Sequence, residues 1–269
     1  MKDIPLLLIH GFPFDHAMWF STIASLGANA KVLAPDLPGF GRNAILMQED
    51  PSLEAMADFL IRFMDQNQMA SAVIAGMSMG GYVALSLAEN YPTRLAGLGL
   101  ISSQTAADSD ETRKGRFETI KKIRAAGPGV ILDSLVPKLF AREKWKNPDL
   151  RGYPERGAKA AGVDGLCWAL EAMAKRTDRT AMARSLNIPI LVVHGMEDQI
   201  IPFAKARELA ESCQKPILIE LPGVGHSSPL EAPDPVASGL ARLMTKCREQ
   251  AGPGRSADSS DADPSLPQS

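Results

Sequence analysis

Short apolar runs separated by longer stretches of helical spacing predict an α/β protein with a mainly parallel sheet and helices on both faces. Six runs, at residues 6–10, 31–34, 72–75, 95–101, 190–194 and 217–221, are nearly unbroken rather than alternating. Strands covered on both faces should read that way. Between two of them, Leu53, Met56, Ala57, Leu60, Ile61 and Met64 fall on one helical stripe, with Ser52 placed to cap its start.

The first run ends at His10-Gly11-Phe12-Pro13 and the third at Gly76. Residues 79–90 are small and apolar, as a helix tucked against a sheet would be. Pro202 opens a further helix at 203–212, and residues 234–248 form the last. Residues 103–186 break the rhythm: they carry many charges and several helical stretches but no convincing strand. The expected organisation is therefore a core from 1–102 and 188–248, with a helical cap inserted at 103–187. From 249 to 269 the chain is Gly, Pro, Ser and Asp with little that is apolar, which predicts a disordered tail.

The bulk numbers narrow the function. The chain has 269 residues, 45% hydrophobic and 22% charged, enough for one large α/β domain or two small ones, with a core of ordinary size that needs no disulfides or metal. A formal net charge of −2 gives no electrostatic basis for a nucleic-acid partner. Cys167, Cys213 and Cys247 are far apart and form no CxxC pair, so reduced, mostly buried thiols are expected. The apolar run at 6–9 is too short for a leader, and no stretch approaches the roughly 20 residues of a spanning helix. The expectation is a cytoplasmic protein with no membrane partner. Gly39-Phe40-Gly41 lacks the Gly-Lys-Ser/Thr ending of a phosphate loop. No cofactor and no metal are expected.

The chemistry begins at Gly76-Met77-Ser78-Met79-Gly80, which lies between a strand and a helix. A sharp strand-to-helix turn at Ser78 would force that residue into a strained conformation, and Gly76 and Gly80 would leave room for it. The hydroxyl would then project from the carboxyl edge of the sheet. The Met79 N–H would lie at a helix N-terminus, where negative charge is favoured.

A serine hydroxyl needs a base, and the chain has four histidines. His10 and His194 each end an apolar run before Gly and read as loop supports. His16 sits in a polar turn. His226 lies in the glycine-rich loop after the last expected strand, at Pro222-Gly223-Val224-Gly225-His226, and such a loop can bring an imidazole to Ser78. The acid should follow the preceding strand, where Glu197 and Asp198 are the candidates. Asp198 has the shorter side chain; Glu197 reads as a solvated neighbour. The strand before that ends Ile101-Ser102-Ser103-Gln104, with no carboxylate until Asp108, which argues against an acid there. The order Ser, Asp, His results.

These pieces resemble the α/β-hydrolase fold superfamily across residues 4–102 and 188–245. The matching segments are His10-Gly11-Phe12, Asp36-Leu37-Pro38-Gly39-Phe40-Gly41-Arg42, Gly76-Met77-Ser78-Met79-Gly80-Gly81, Gly195-Met196-Glu197-Asp198 with Pro202, and Gly225-His226. The resemblance implies a Ser78, Asp198 and His226 triad, with backbone N–H groups of Phe12 and Met79 as the oxyanion donors. It points to small carboxylesterases, enol-lactonases and cofactor-free perhydrolases. Families with an aspartate nucleophile are disfavoured, because the elbow holds Ser. Such folds often open with an antiparallel hairpin, and only Met1–Asp3 precede Ile4, so a sheet of about six strands is expected.

In the insertion, Phe117, Leu135, Leu139, Phe140, Trp145, Trp168, Leu170 and Met173 could line a pocket, or could simply hold the cap together. Phe12, Met79, Trp145 and Trp168 are the candidate substrate-binding residues. The basic run Arg113, Lys114, Arg116, Lys121, Lys122 and Arg124 reads as a solvated face offset by Asp108, Asp110, Glu111 and Glu118. The expected activity is hydrolysis of small to medium carboxylic esters. Alternatives are a metabolic enol-lactonase or carbon–carbon bond hydrolase with the same triad, perhydrolysis as a side activity, and a ligand-binding receptor-like homologue. The expected partner is a small-molecule ester.

Overall fold

The computed structural model describes residues 4–28, 30–43, 49–142, 144–214 and 216–252. In chain order the elements begin β1 (Leu6–Ile9), α1 (Phe20–Leu26), β2 (Val32–Leu33), α2 (Leu53–Gln66), β3 (Ala72–Met77), α3 (Met79–Asn90) and β4 (Leu95–Ile101). Four helices follow: α4 (Asp110–Ala126), α5 (Leu132–Leu139), α6 (Pro148–Ala174) and α7 (Thr180–Ser185). The chain then returns to β5 (Ile190–Gly195), α8 (Phe203–Ser212), β6 (Ile217–Leu221), α9 (Ser228–Glu231) and α10 (Pro233–Ala251).

All six expected strands form, in a single sheet of order β2-β1-β3-β4-β5-β6 in which every pairing is parallel. The unbroken apolar runs conceal a period of two, because successive side chains enter opposite cores. Leu7, Ile9, Ile74, Leu98, Leu100 and Val192 pack with α2, α3 and α8 on one face. Leu6, Leu8, Val73, Ala75, Ile101 and Val193 pack with Val236, Leu240 and Leu243 of α10 on the other. Helix α1 lies against α10 on that second face.

Most bounds shift by a residue or two, and three shifts are informative. At the sheet edge only Val32 and Leu33 pair with β1, although the Lys31 carbonyl still accepts the Leu6 N–H at 2.9 Å. Strand β3 continues to Met77, since Gly76 remains in register with Ile9 and Leu100. Helix α10 runs through Glu249 to Ala251 and stops where Gly252 adopts φ 66°, a glycine helix stop. Residues 249–251 are thus helical and not part of a tail. The rest of the expected tail and Met1–Asp3 lie outside the described residues.

Between β4 and β5 the described residues form helices and no strand. The long helix α6 bends at Gly162 (φ 63°, ψ −167°), which lets its two halves follow a curved surface. Gly157 and Gly165 set that helix directly on the main chain of Pro13 and Gly39. Asp108, which the sequence places among solvated acids, is instead buried. Its carboxylate accepts from Arg116 Nε at 2.6 Å and Arg176 Nη1 at 2.5 Å, and the Arg176 side chain is 2% exposed. The Arg176 guanidinium also stacks over Tyr82 of α3, 4.2 Å from the ring centroid. This ion cluster ties the start of α4 and the end of α6 to the helix that follows Ser78.

Removing the carboxylate strands a buried guanidinium, so Asp108→Ala is expected to cost about 3–5 kcal/mol. Urea unfolding of both proteins measures it; a loss below about 1 kcal/mol, the size of a surface pair, would contradict the buried cluster.

Candidate active site

The turn from β3 into α3 is built around one strained residue. Ser78 has φ 50° and ψ −113°, a region that non-glycine residues rarely occupy. Its N–H donates to the Ile101 carbonyl at 2.9 Å, and its carbonyl accepts from Gly81 N and Tyr82 N at 2.9 and 3.2 Å. The Ser103 hydroxyl donates to that same carbonyl at 2.9 Å. These bonds over-determine the turn. A Cβ at Gly76 would overlap the Gly80 carbonyl, and a Cβ at Gly80 would overlap the Ile9 carbonyl. Both neighbours are backbone and cannot swing aside, so the glycine spacing is a packing requirement.

Ser78, His226 and Asp198 come from three separate loops at the carboxyl edge of the sheet, and the structure brings them together. The Ser78 hydroxyl donates to His226 Nε2 at 2.9 Å. The opposite ring nitrogen, Nδ1–H, donates to Asp198 Oδ2 at 2.8 Å. Asp198 stands three residues beyond the end of β5 and is itself fixed: its Oδ1 accepts the N–H groups of Ile200 and Ile201 at 2.8 and 2.9 Å. Both Asp198 and the His226 ring are almost wholly shielded from solvent. Burial alone would raise the Asp198 carboxyl. Attraction to His226 and the hydrogen bonds from His194 and His226 outweigh it and hold the group well below the ordinary aspartate range.

His194 was expected only to support a loop, and it does donate to the Ile201 carbonyl at 2.9 Å. The same Nε2 lies 3.1 Å from Asp198 Oδ2. A nitrogen facing a carbonyl and a carboxylate must carry the proton, so His194 is a further donor to the acid. The four-residue spacing from His194 to Asp198 was the available signal. His10 accepts the Leu37 N–H at Nε2 (3.0 Å) and donates from Nδ1 to the Gly11 carbonyl (3.1 Å). It fastens the loop after β1 to the loop after β2. Burial lowers its pKa, which suits this neutral, accepting form. Glu197 is half-buried and pairs with Arg142 at 3.2 Å.

Met79 is the first residue of α3, so its N–H belongs to the turn that has no intrahelical acceptor. Its side chain is fully buried in the core. Phe12 follows Gly11, whose α-carbon packs against Met77 and Ser78, and its ring meets Phe40 edge-on at 6.3 Å. The candidate cap residues have other surroundings. Trp168 is buried beside the α2–α3 core and its indole N–H donates to the Glu49 carbonyl at 3.4 Å. Trp145 is partly buried against the core cluster on the α10 side of the sheet, with the Lys146 ammonium 5.8 Å above its ring.

Among the described residues, Asp15, His16 and Asp36 bring three potential metal-ligand atoms within 4.8 Å. Their atoms already have partners. Asp36 accepts from the His16 N–H and ring at 2.8 and 2.7 Å and from the Arg42 N–H at 2.9 Å, while Asp15 caps the turn at Ala17. The Asp36 carboxyl is lowered by the bonds from His16 and Arg42 despite its burial. The cluster shapes the loop beside Gly39.

Two measurements test this geometry. Ser78→Gly should be more stable than Ser78→Ala by about 1 kcal/mol, because glycine relieves the positive φ; equal urea midpoints would mean that the turn is unstrained. A depressed folded-state pKa means that ionised Asp198 stabilises the fold above the unfolded value near pH 4 and that this contribution is lost as pH falls through the folded value. The stability difference between wild type and Asp198→Asn should therefore stay flat from roughly pH 5 to 8 and shrink only in acid. A difference that grew toward low pH would contradict the depressed carboxyl.

The sequence profile of the alpha/beta hydrolase family matches residues 6–238. A thermophilic esterase from Thermogutta terrifontis superposes with a TM-score of 0.85 at 32% identity, covering 91% of this chain and 90% of that one. The dihydrolipoyllysine-residue acetyltransferase component of the acetoin cleaving system of Pseudomonas putida is 32% identical over 90% of this chain. The chain spans only 64% of that relative's length. A pimeloyl-[acyl-carrier protein] methyl ester esterase of Vibrio campbellii is 27% identical, covering 77% of this chain and 81% of its own. With the sheet order, the elbow and a profile match over most of its length, this chain belongs to the alpha/beta hydrolase family.

Proposed function

We propose that the protein is a serine carboxylesterase acting on small to medium carboxylic esters, with Ser78 as nucleophile, His226 as base and Asp198 as the orienting acid. The observation that carries this reading is the 2.9 Å bond from the Ser78 hydroxyl to His226 Nε2. The similarity to an esterase of known structure at 32% identity supports it.

In the reaction, Ser78 Oγ attacks the ester carbonyl carbon as its proton passes to His226 Nε2. Negative charge develops on the carbonyl oxygen, and the N–H groups of Met79 and Phe12 are the donors assigned to it. The tetrahedral species collapses to an acyl-Ser78, and the leaving alkoxide takes the proton from His226. Water then attacks the acyl carbon as its proton passes to His226, and His226 returns that proton to Ser78 Oγ as the acid is expelled, which restores the triad. Asp198 keeps the proton of the resting imidazole on Nδ1 and stabilises the imidazolium, without taking the proton itself. Residues 103–187 form the cap over this site; Phe12 and the main chain of Met79 border the substrate, while Trp145 and Trp168 brace the cap from within. A metabolic enol-lactonase or carbon–carbon bond hydrolase would use the same residues, and perhydrolysis could accompany either.

The expected outcome is turnover of p-nitrophenyl acetate or butyrate and a stoichiometric phosphonate adduct on Ser78. Asp198→Asn should slow turnover by roughly four orders of magnitude, by analogy with other triads. Vigorous turnover of one enol-lactone with feeble aryl-ester hydrolysis would favour the alternative. No turnover of either and no adduct would leave a ligand-binding homologue.

A further inference from the structure

Glu231 takes no part in the chemistry above, yet its carboxylate has no solvent exposure. A buried carboxylate is costly unless every oxygen is satisfied, so its partners are informative. Oε1 accepts the N–H of Gly225, the residue immediately before His226, at 3.0 Å. Oε2 accepts the N–H of Ala141, just beyond α5 in the helical insertion, at 3.0 Å. Lys144 Nζ stands 3.3 Å from Oε2 and donates to the Gly223 carbonyl at 2.7 Å. On the other side of the histidine, the Ser227 N–H donates to the Leu139 carbonyl at 2.8 Å. A Cβ on Gly225 would overlap the Phe140–Ala141 main chain, so the two segments are in backbone contact.

His226 is thus held from both flanks by the excursion between β4 and β5, on one flank through Glu231 and on the other directly. We propose that Glu231 is a positioning residue and, with Lys144, forms a latch that makes the seating of the catalytic imidazole depend on docking of the helical insertion. The inference rests on the reading of His226 as base for its kinetic part only; the latch itself is a matter of loop order. If the latch opens, the loop 223–227 loses its fixed frame. A displacement near 1 Å of a catalytic group can cost about a hundredfold in rate.

Glu231→Gln must turn an amide NH2 toward one of the two backbone N–H donors, so one bond is lost. We expect kcat on p-nitrophenyl acetate to fall about tenfold to a hundredfold with KM changed less than about threefold. In a His226→Ala background the same substitution should change the residual rate by less than about twofold, because a residue that acts through the base has nothing left to position. A role in folding alone would give the same factor in both backgrounds, and that result would overturn the proposal. Should Glu231→Gln fail to fold, Lys144→Met decides, since that side chain is 41% exposed: a severalfold lower kcat, restored by Lys144→Arg, is expected, and an unchanged kcat would overturn it. Amide hydrogen exchange reads the latch even in a protein that hydrolysed no ester. Residues 223–227 and 139–142 should exchange faster together in either variant while β3 and α3 do not, and unaltered protection in both loops would end the idea.

Discussion

The whole site depends on a backbone turn that the chain would not adopt by itself. At Ser78 the main chain sits in a left-handed region that costs of order 1–3 kcal/mol for a non-glycine residue. A hydrogen bond to the Ile101 carbonyl, one from the Ser103 hydroxyl and two glycine contacts hold it there. The reward is geometric. A serine in an ordinary strand or helix would point its hydroxyl along a packed face, whereas this turn directs it away from the sheet edge. The same turn starts α3 at the next residue, so the first free N–H groups of a helix lie beside the hydroxyl. The proposed nucleophile and the proposed anion-stabilising donor of Met79 thus arise from one local distortion.

The parallel sheet makes the rest of the constellation possible. Because every strand runs the same way, the loops after β1, β3, β5 and β6 all emerge at one edge, where Ser78, Asp198 and His226 meet although far apart in sequence. Electrostatics then fixes their states. Asp198 is desolvated, which disfavours its charge, but it receives N–H donors from two backbone amides and two imidazoles. That is about as many as one carboxylate can accept. A saturated carboxylate cannot rotate freely, and it keeps the facing His226 nitrogen protonated. The opposite nitrogen is therefore left as the acceptor for the Ser78 proton.

Most of the scaffold was legible because two-sided burial leaves a compositional mark. Most of the six strands could be found as nearly unbroken apolar runs, and Ser52 does cap α2, accepting the Ala55 N–H at 3.1 Å. The elbow was legible because its glycines have a steric cause that acts over two residues. What could not be read were relations set by tertiary packing. Asp108 looks like any acid in a charged stretch, and nothing local reveals that Arg176, 68 positions later, meets it in the interior. Trp145 and Trp168 look like pocket residues because they are large and apolar, but size alone does not separate a lining residue from one packed among helices. Glu231 sits between Leu230 and Ala232 with no feature that marks its carboxylate as buried. Edge pairing was overestimated at 31–34 for a related reason, since a strand with one neighbour ends where that neighbour departs.

The loop that carries His226 illustrates how a flexible sequence becomes a fixed one. Pro222-Gly223-Val224-Gly225 has the composition of a mobile turn, and two glycines raise the entropy that ordering must overcome. The structure supplies the opposing bonds from outside the loop. Glu197 N–H donates to the Val224 carbonyl at 2.9 Å, Glu231 holds Gly225, and Leu139 holds Ser227. The first of these comes from the acid's own loop, so the segment bearing Asp198 and the segment bearing His226 are joined by main chain as well as by the side-chain pair. The last two bring in the helical insertion. In the proposed reaction the imidazole alternates between accepting and returning a proton and needs a constant distance to Ser78, which a loop tied on three sides would provide. The helical insertion between β4 and β5 is therefore tied by main chain to the loop that carries the proposed base.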